Sequence, residues 1–252
     1  MEVHSHTHSQ RKKWYHYFWE FFMLFLAVTL GFFVENQREH MVEHQRAKVF
    51  AANLYDELKK DTARLNNLIN NNQLNSNKLD TFCIYNTEKN KLNITNGMLY
   101  YYASWVTHVN YFSPNSSTTI EQLKNSGNLR IMGTELAHKI SEYDKINRAL
   151  ENEYSLSKSE FEKIEDLHFK IFDVYYMETL FSDDTKKASV RDSVFRITSA
   201  PILNDVEMMK EYTGWVKFEA GIYKFQTTEY LNPIKQQAEE LLIQLKKEYH
   251  LD

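Results

Sequence analysis

Residues Trp14 to Val34, WYHYFWEFFMLFLAVTLGFFV, constrain this chain more than any other stretch, because a soluble fold has little use for them. The strictly apolar part runs from Phe21 to Val34, interrupted only by Thr29 and Gly31. As a helix that part is about 21 Å long, short of a hydrocarbon core of about 30 Å. Adding Trp14 through Glu20 brings the length to about 31 Å, which is enough to cross. The added rings of Trp14, Tyr15, Tyr17, Phe18 and Trp19 suit the headgroup level, where they form an aromatic belt.

Two other readings compete with a membrane span. A cleavable signal peptide needs small residues before the cut, and Gly31-Phe32-Phe33-Val34-Glu35-Asn36 offers bulky ones. A buried core helix rarely carries a basic triplet such as Arg11-Lys12-Lys13 beside an aromatic flank. The sequence therefore favours an uncleaved signal-anchor over residues 14–34, embedded in the lipid bilayer. After the span only Arg38 falls within the first ten residues, with Arg46 and Lys48 further on. That bias predicts a cytoplasmic N-terminus, an inner-membrane location and an exported, periplasmic C-terminal domain. The single cysteine, Cys83, does not decide the compartment. Glu20 reads as a carboxylate at headgroup level, with an intramembrane protonatable group as the alternative. Ala27 and Gly31 form a small-xxx-small pair that would let two spans pack closely in a homo-oligomer.

Only 6 Gly and 3 Pro occur among 252 residues, against 16 Tyr and 16 Phe, so long uninterrupted elements with aromatic filling are expected. A net charge of −4 with interspersed signs argues against a nucleic-acid partner. The predicted organisation is a polar, disordered tail over 1–13, a transmembrane helix over 14–34, a stalk helix over 35–77 and a helical domain over 78–252. Phe50, Leu54, Leu58, Leu65, Leu68 and Ile69 recur at helical spacing along the stalk. Residues 66–77 hold seven Asn, either the end of the stalk or a polar helix face.

Further on, Leu79 to Thr87 reads as helix, Lys89 to Gly97 as loop, and Met98 to Val109 as helix in preference to a strand pair. Asn110 to Thr119 is loop by composition. Ile120 to Ser126 is a short helix closed by Gly127 in the left-handed region. Leu136, Ile140, Tyr143, Leu150, Tyr154, Phe161, Ile164, Ile171 and Tyr175 share a 3/4 spacing. That segment is one long helix, or two over 134–155 and 158–181 if Ser157 and Glu160 make a capping box. Ser182 to Pro201 reads as loop. Helices follow over about 204–225 and 229–250, the second starting near Pro233 and carrying Ile234, Ala238, Leu241, Leu245 and Tyr249 on one face. The fold class is all-α: a single span continuing into a long stalk, then an antiparallel helical bundle.

His40-Met41-Val42-Glu43-His44 fits the H-x-x-E-H pattern of one class of zinc peptidase. His40 and His44 share a helix face and Glu43 is placed to act as base, yet no downstream acid completes a ligand set. A solvated, charge-paired helix face is the favoured reading. His4, His6 and His8 alternate in the tail, a tract that can take a metal loosely or do nothing. His168 falls on the apolar seam, where a hydrogen-bonded core histidine is expected, and Cys83 reads as a small buried hydrophobe. There is no P-loop, G-x-G-x-x-G, G-x-S-x-G or C-x-x-C, and no cofactor is expected.

Two stretches carry a resemblance. One is Glu20, the apolar run to Gly31 and Val34, then Glu35-Asn36-Gln37-Arg38-Glu39 and Leu54-Tyr55-Asp56-Glu57-Leu58. The other is Thr119-Ile120-Glu121-Gln122-Leu123-Lys124-Asn125-Ser126-Gly127-Asn128-Leu129-Arg130-Ile131, with Glu135-Leu136 and Ser141-Glu142-Tyr143 beyond it. Together they resemble a bacterial family of uncharacterised single-span membrane proteins, over about 14 to 60 and 118 to 150. The resemblance implies a one-span anchor and an α-helical extramembrane domain, with no catalytic residues to carry over.

The expected function is that of a non-enzymatic membrane-anchored protein that scaffolds, senses or assembles with unidentified envelope proteins. The alternatives are an oligomeric assembly or pore of clustered spans, and a metal-dependent hydrolase centred on His40, Glu43 and His44.

Overall fold

A computed structural model describes residues 14–106, 111–181, 188–203 and 205–251. The expected disordered tail, including His4, His6 and His8, lies outside them. The fold is all-α: among the described residues the only strand-like pairing is an isolated bridge between Phe172 and Ile202. Contacts divide the chain into two compact units, Met1–Phe50 and Ala51–Asp252.

Helix α1 runs without a break over Trp14–Thr87. In the first unit every residue from Trp14 to Val42 is exposed, so nothing among the described residues buries the apolar stretch as a core helix would be buried. The segment is long and apolar enough to cross a membrane.

The second unit begins at Ala51, so residues 51–77, assigned above to a stalk, are part of it. Leu54, Leu58, Leu65 and Leu68 are buried there. The Asn-rich stretch is a helix face, and an interior one in part. Asn72, Asn75 and Ser76 are buried, and Ser76 Oγ donates to the Ala220 carbonyl at 2.9 Å. Packing of this kind outweighs the few tenths of a kcal/mol that each Asn costs a helix, roughly 0.7 at most.

The remaining elements are α2 (Lys89–Leu92), α3 (Asn96–Ala103), α4 (Ser117–Asn125), a 3₁₀ turn (Asn128–Met132), α5 (Thr134–Leu156), α6 (Lys158–Ile171), α7 (Val174–Phe181), α8 (Ala188–Phe195), α9 (Val206–Gln226), a π turn (Thr227–Leu231) and α10 (Asn232–Tyr249). α5 packs on α10, and α6 on α9. The α10 stripe is as expected: Ile234, Ala238, Leu241, Leu245 and Tyr249 are all buried. A second core joins α1, α3, α6 and α9 through Phe82, Tyr100, Ile164, Phe172, Tyr212 and Val216.

Several boundaries differ from the sequence reading, each for a local reason. The long periodic segment breaks at Ser157, but no capping box forms there. The Ser157 hydroxyl bonds back to the Glu153 carbonyl at 2.9 Å, a contact that bends helices, and leaves the α6 N-terminus without a side-chain cap. A second break at Phe172 and Asp173 precedes α7, and Tyr175 at the end of the seam is exposed. Gly97, expected in a loop, lies inside α3, where a Cβ would meet the Val194 carbonyl oxygen at 1.9 Å. Helix α8 occupies part of the expected 182–201 loop, with Val194 buried; Ser182 to Lys187 lie outside the described residues. The two C-terminal helices are joined by the π turn rather than separated by a loop.

Two caps fix the α4 entry and the α9 entry. Asp61, fully buried on α1, accepts from the Asn115 backbone N–H at 2.7 Å and the Ser116 N–H at 3.0 Å. Asp205 accepts from the Met208 N–H at 2.9 Å. Gly127 takes φ +67° after α4, the left-handed position expected of it.

Candidate functional site

The second unit carries a groove of about 990 Å³ between α1 and α9, flanked by α2, α3 and the segment that leads into α9. α1 contributes Asp80, Cys83, Ile84, Asn86 and Thr87; α9 contributes Met209, Thr213 and Lys217; Leu99 and Ile202 add apolar wall. Helical spacing puts Asp80, Cys83, Asn86 and Thr87 along one side of α1, which is why one groove collects them.

Asp80 is clamped by two lysines. Lys217 Nζ donates to Oδ1 and Lys224 Nζ to Oδ2, each at 2.7 Å. Burial alone would raise the carboxyl, but the hydrogen bonds and charges of Lys217 and Lys224 outweigh it and hold the pKa below the usual carboxylate value. The group is therefore an ionised acceptor at neutral pH and no general acid. Beside it the Cys83 Sγ lies 3.6 Å from the Thr213 carbonyl oxygen. Burial pushes the thiol up to about 11, so the nucleophilic thiolate is scarce. Asn86 Nδ2 donates to Thr213 Oγ1 at 2.8 Å. Fixed polar groups over an apolar wall equip this groove for recognition rather than for nucleophilic or acid chemistry.

The sequence candidates fall elsewhere. His40 and His44 are exposed and Glu43 is half-buried, all on the first unit's part of α1. Among the described residues no three of His, Cys, Asp and Glu gather where they could hold a metal ion, so no third ligand joins them. Ala27 and Gly31 are exposed one helical turn apart. His168 is the expected core histidine, fully buried with Nδ1 2.7 Å from Tyr212 Oη. The Asp80 clamp escaped the sequence reading because Lys217 and Lys224 lie more than 130 positions away, with only their one-face spacing on α9 as a hint.

Set against protein-family models, curated proteins and solved structures, the chain matches none of them.

Proposed function

We propose that this chain is a single-pass bacterial inner-membrane protein that works by binding other envelope proteins, as a scaffold, sensor or assembly component. Residues 14–34 are its anchor, the N-terminus is cytoplasmic, and the C-terminal unit is periplasmic. The helices of that unit, α5 against α10 and α6 against α9, form an antiparallel bundle.

One observation carries the reading. Trp14, Phe21, Leu24, Phe32 and Val34 are 80, 66, 67, 74 and 64% exposed, on a stretch of α1 that nothing among the described residues covers. Each large apolar side chain left in water forgoes roughly 1.5–3 kcal/mol, so the segment calls for an apolar medium. Arg11-Lys12-Lys13 before it supports the orientation, because basic residues stay on the cytoplasmic side. The groove beside Asp80 supports binding as the mode of action.

Reporter fusions at both termini, combined with alkaline extraction of membranes, test the anchor and its direction. Resistance to extraction with a periplasmic C-terminal reporter is expected. Release into the supernatant, or a cytoplasmic C-terminal reporter, overturns the reading. Crosslinking in native membranes then identifies the protein that co-purifies.

A further inference from the structure

Lys78, on the second unit's part of α1, points its ammonium at three aromatic rings. Nζ lies 5.2 Å from the centre of the Tyr101 ring, 5.4 Å from Tyr102 and 5.4 Å from Trp105. The rings stand as walls rather than as a stack: Tyr101 and Tyr102 meet at 90° with centres 5.1 Å apart. Tyr85 meets Tyr102 at 5.1 Å and 83°. Among the described residues Lys78 makes no hydrogen bond or ion pair, so its counter-charge is π density alone. Lys78, Tyr102 and Trp105 are half-buried, and Tyr101 is buried.

A primary ammonium is a poor match for such a box. It is strongly hydrated and carries three N–H donors, which aromatic faces satisfy badly. A trimethylammonium group has no donor to lose and a diffuse charge, and three-walled aromatic cages are the form in which proteins recognise it. Lysine has four rotatable side-chain bonds and can leave the box without moving the helix.

We propose that Tyr101, Tyr102 and Trp105 form a binding site for a trimethylammonium group of the choline type, and that Lys78 is its internal plug. The ligand competes with Lys78, so its apparent affinity in the intact chain is reduced by the strength of the contacts that it displaces. Removing the plug is expected to tighten binding roughly 2- to 30-fold, the range that a single cation–π interaction spans. The trimethylammonium can come from free choline or from a phosphocholine lipid headgroup, and the chemistry of recognition is the same.

The test is calorimetric titration of the full chain in maltoside micelles, which carry no choline. One arm uses choline chloride; the other uses dihexanoylphosphatidylcholine below its micelle concentration, with dihexanoylphosphatidylglycerol as control. The Lys78→Ala and Lys78→Gln variants are expected to bind more tightly than the parent in at least one arm. Trp105→Ala is expected to abolish that binding while circular dichroism remains helical. Binding in the first arm shows that the free cation suffices; binding in the second alone assigns the lipid headgroup. Should neither Lys78 variant bind either ligand, or should both bind no more tightly than the parent, the proposal fails. If Trp105→Ala unfolds, Trp105→Leu replaces it, and retained affinity there overturns the cage.

Discussion

His168 and Tyr212 share one hydrogen bond in the interior of the second unit, Nδ1 to Oη at 2.7 Å, with Phe172 packed beside both rings. Burial lowers the imidazole from its ordinary 6.5 to about 4. The folded chain thus binds fewer protons than the unfolded chain between these values. The stability this group contributes is full above pH 6.5 and is lost as the pH falls toward 4. Denaturant midpoints of the solubilised full chain from pH 7.5 to 4 are expected to decline in that window, and His168→Gln to flatten the decline. An unchanged slope in the variant would assign the acid sensitivity to another group.

Glu219 works in the opposite direction. Burial lifts its carboxyl to about 7, the nearby charge of Glu160 adds to this, and a hydrogen bond from Tyr223 opposes it. The folded state therefore holds the proton more tightly than the unfolded state. Its stabilising effect is complete below the ordinary value of 4.5 and is lost as the pH rises through 7. Glu219→Gln carries no charge and should exceed the parent in stability at pH 8 by roughly 1–3 kcal/mol. Thermal melts at pH 5 and pH 8 check this: the two proteins should converge at pH 5.

Asn72 is 1% exposed, and among the described residues neither Nδ2 nor Oδ1 has a partner. Leu is close to it in shape and carries no polar atom to desolvate. Asn72→Leu is expected to stabilise the fold by about 1 kcal/mol or more, since an unpaired buried polar group costs roughly 1–3. A lower melting temperature for this variant would overturn the assignment of an unpaired amide.

Gly97 donates its N–H to the Ile197 carbonyl at 2.9 Å while its α-carbon faces the Val194 carbonyl oxygen. That obstacle is backbone, which cannot swing aside. Gly97→Ala is expected to destabilise by roughly 1–3 kcal/mol, as overpacking does, despite the better helix propensity of Ala. Gly214, beside which a Cβ meets nothing within 4 Å, serves as control, and Gly214→Ala should be neutral or stabilising.

Periodic signals in the sequence translated well. The α10 stripe from Ile234 to Tyr249, the buried His168 and the apolar Cys83 were all readable, because each follows from spacing and side-chain chemistry along one helix. Contacts between distant segments were not readable. Gly97 looked like a turn residue because a glycine needed for close approach and one needed for a turn are identical in sequence. Ser157 looked like a cap because the direction of its hydroxyl is set by Glu153 and not by its position. Asn72 and Asn75 lie in a stretch that read either as the end of the stalk or as a polar helix face, because only the packing of α9 against α1 reveals that their face is covered. The candidate groove shares this cause: Asp80 acquires its two lysines from a helix far along the chain.

The π turn over Thr227–Leu231 places one residue more in the chain than an α-helix would need to cover the same rise. Each α-helical residue advances the surface by about 100°, so the extra residue rotates everything after it by that amount. α9 can then give its apolar side to α6 while α10, on the same unbroken run, gives its own to α5. The insertion acts as a phase shifter. Deleting one residue among 227–231 would restore a regular helix and turn the Ile234, Ala238 and Leu241 stripe away from the interior that now buries it, so a change too small to shorten the element noticeably would undo its registry.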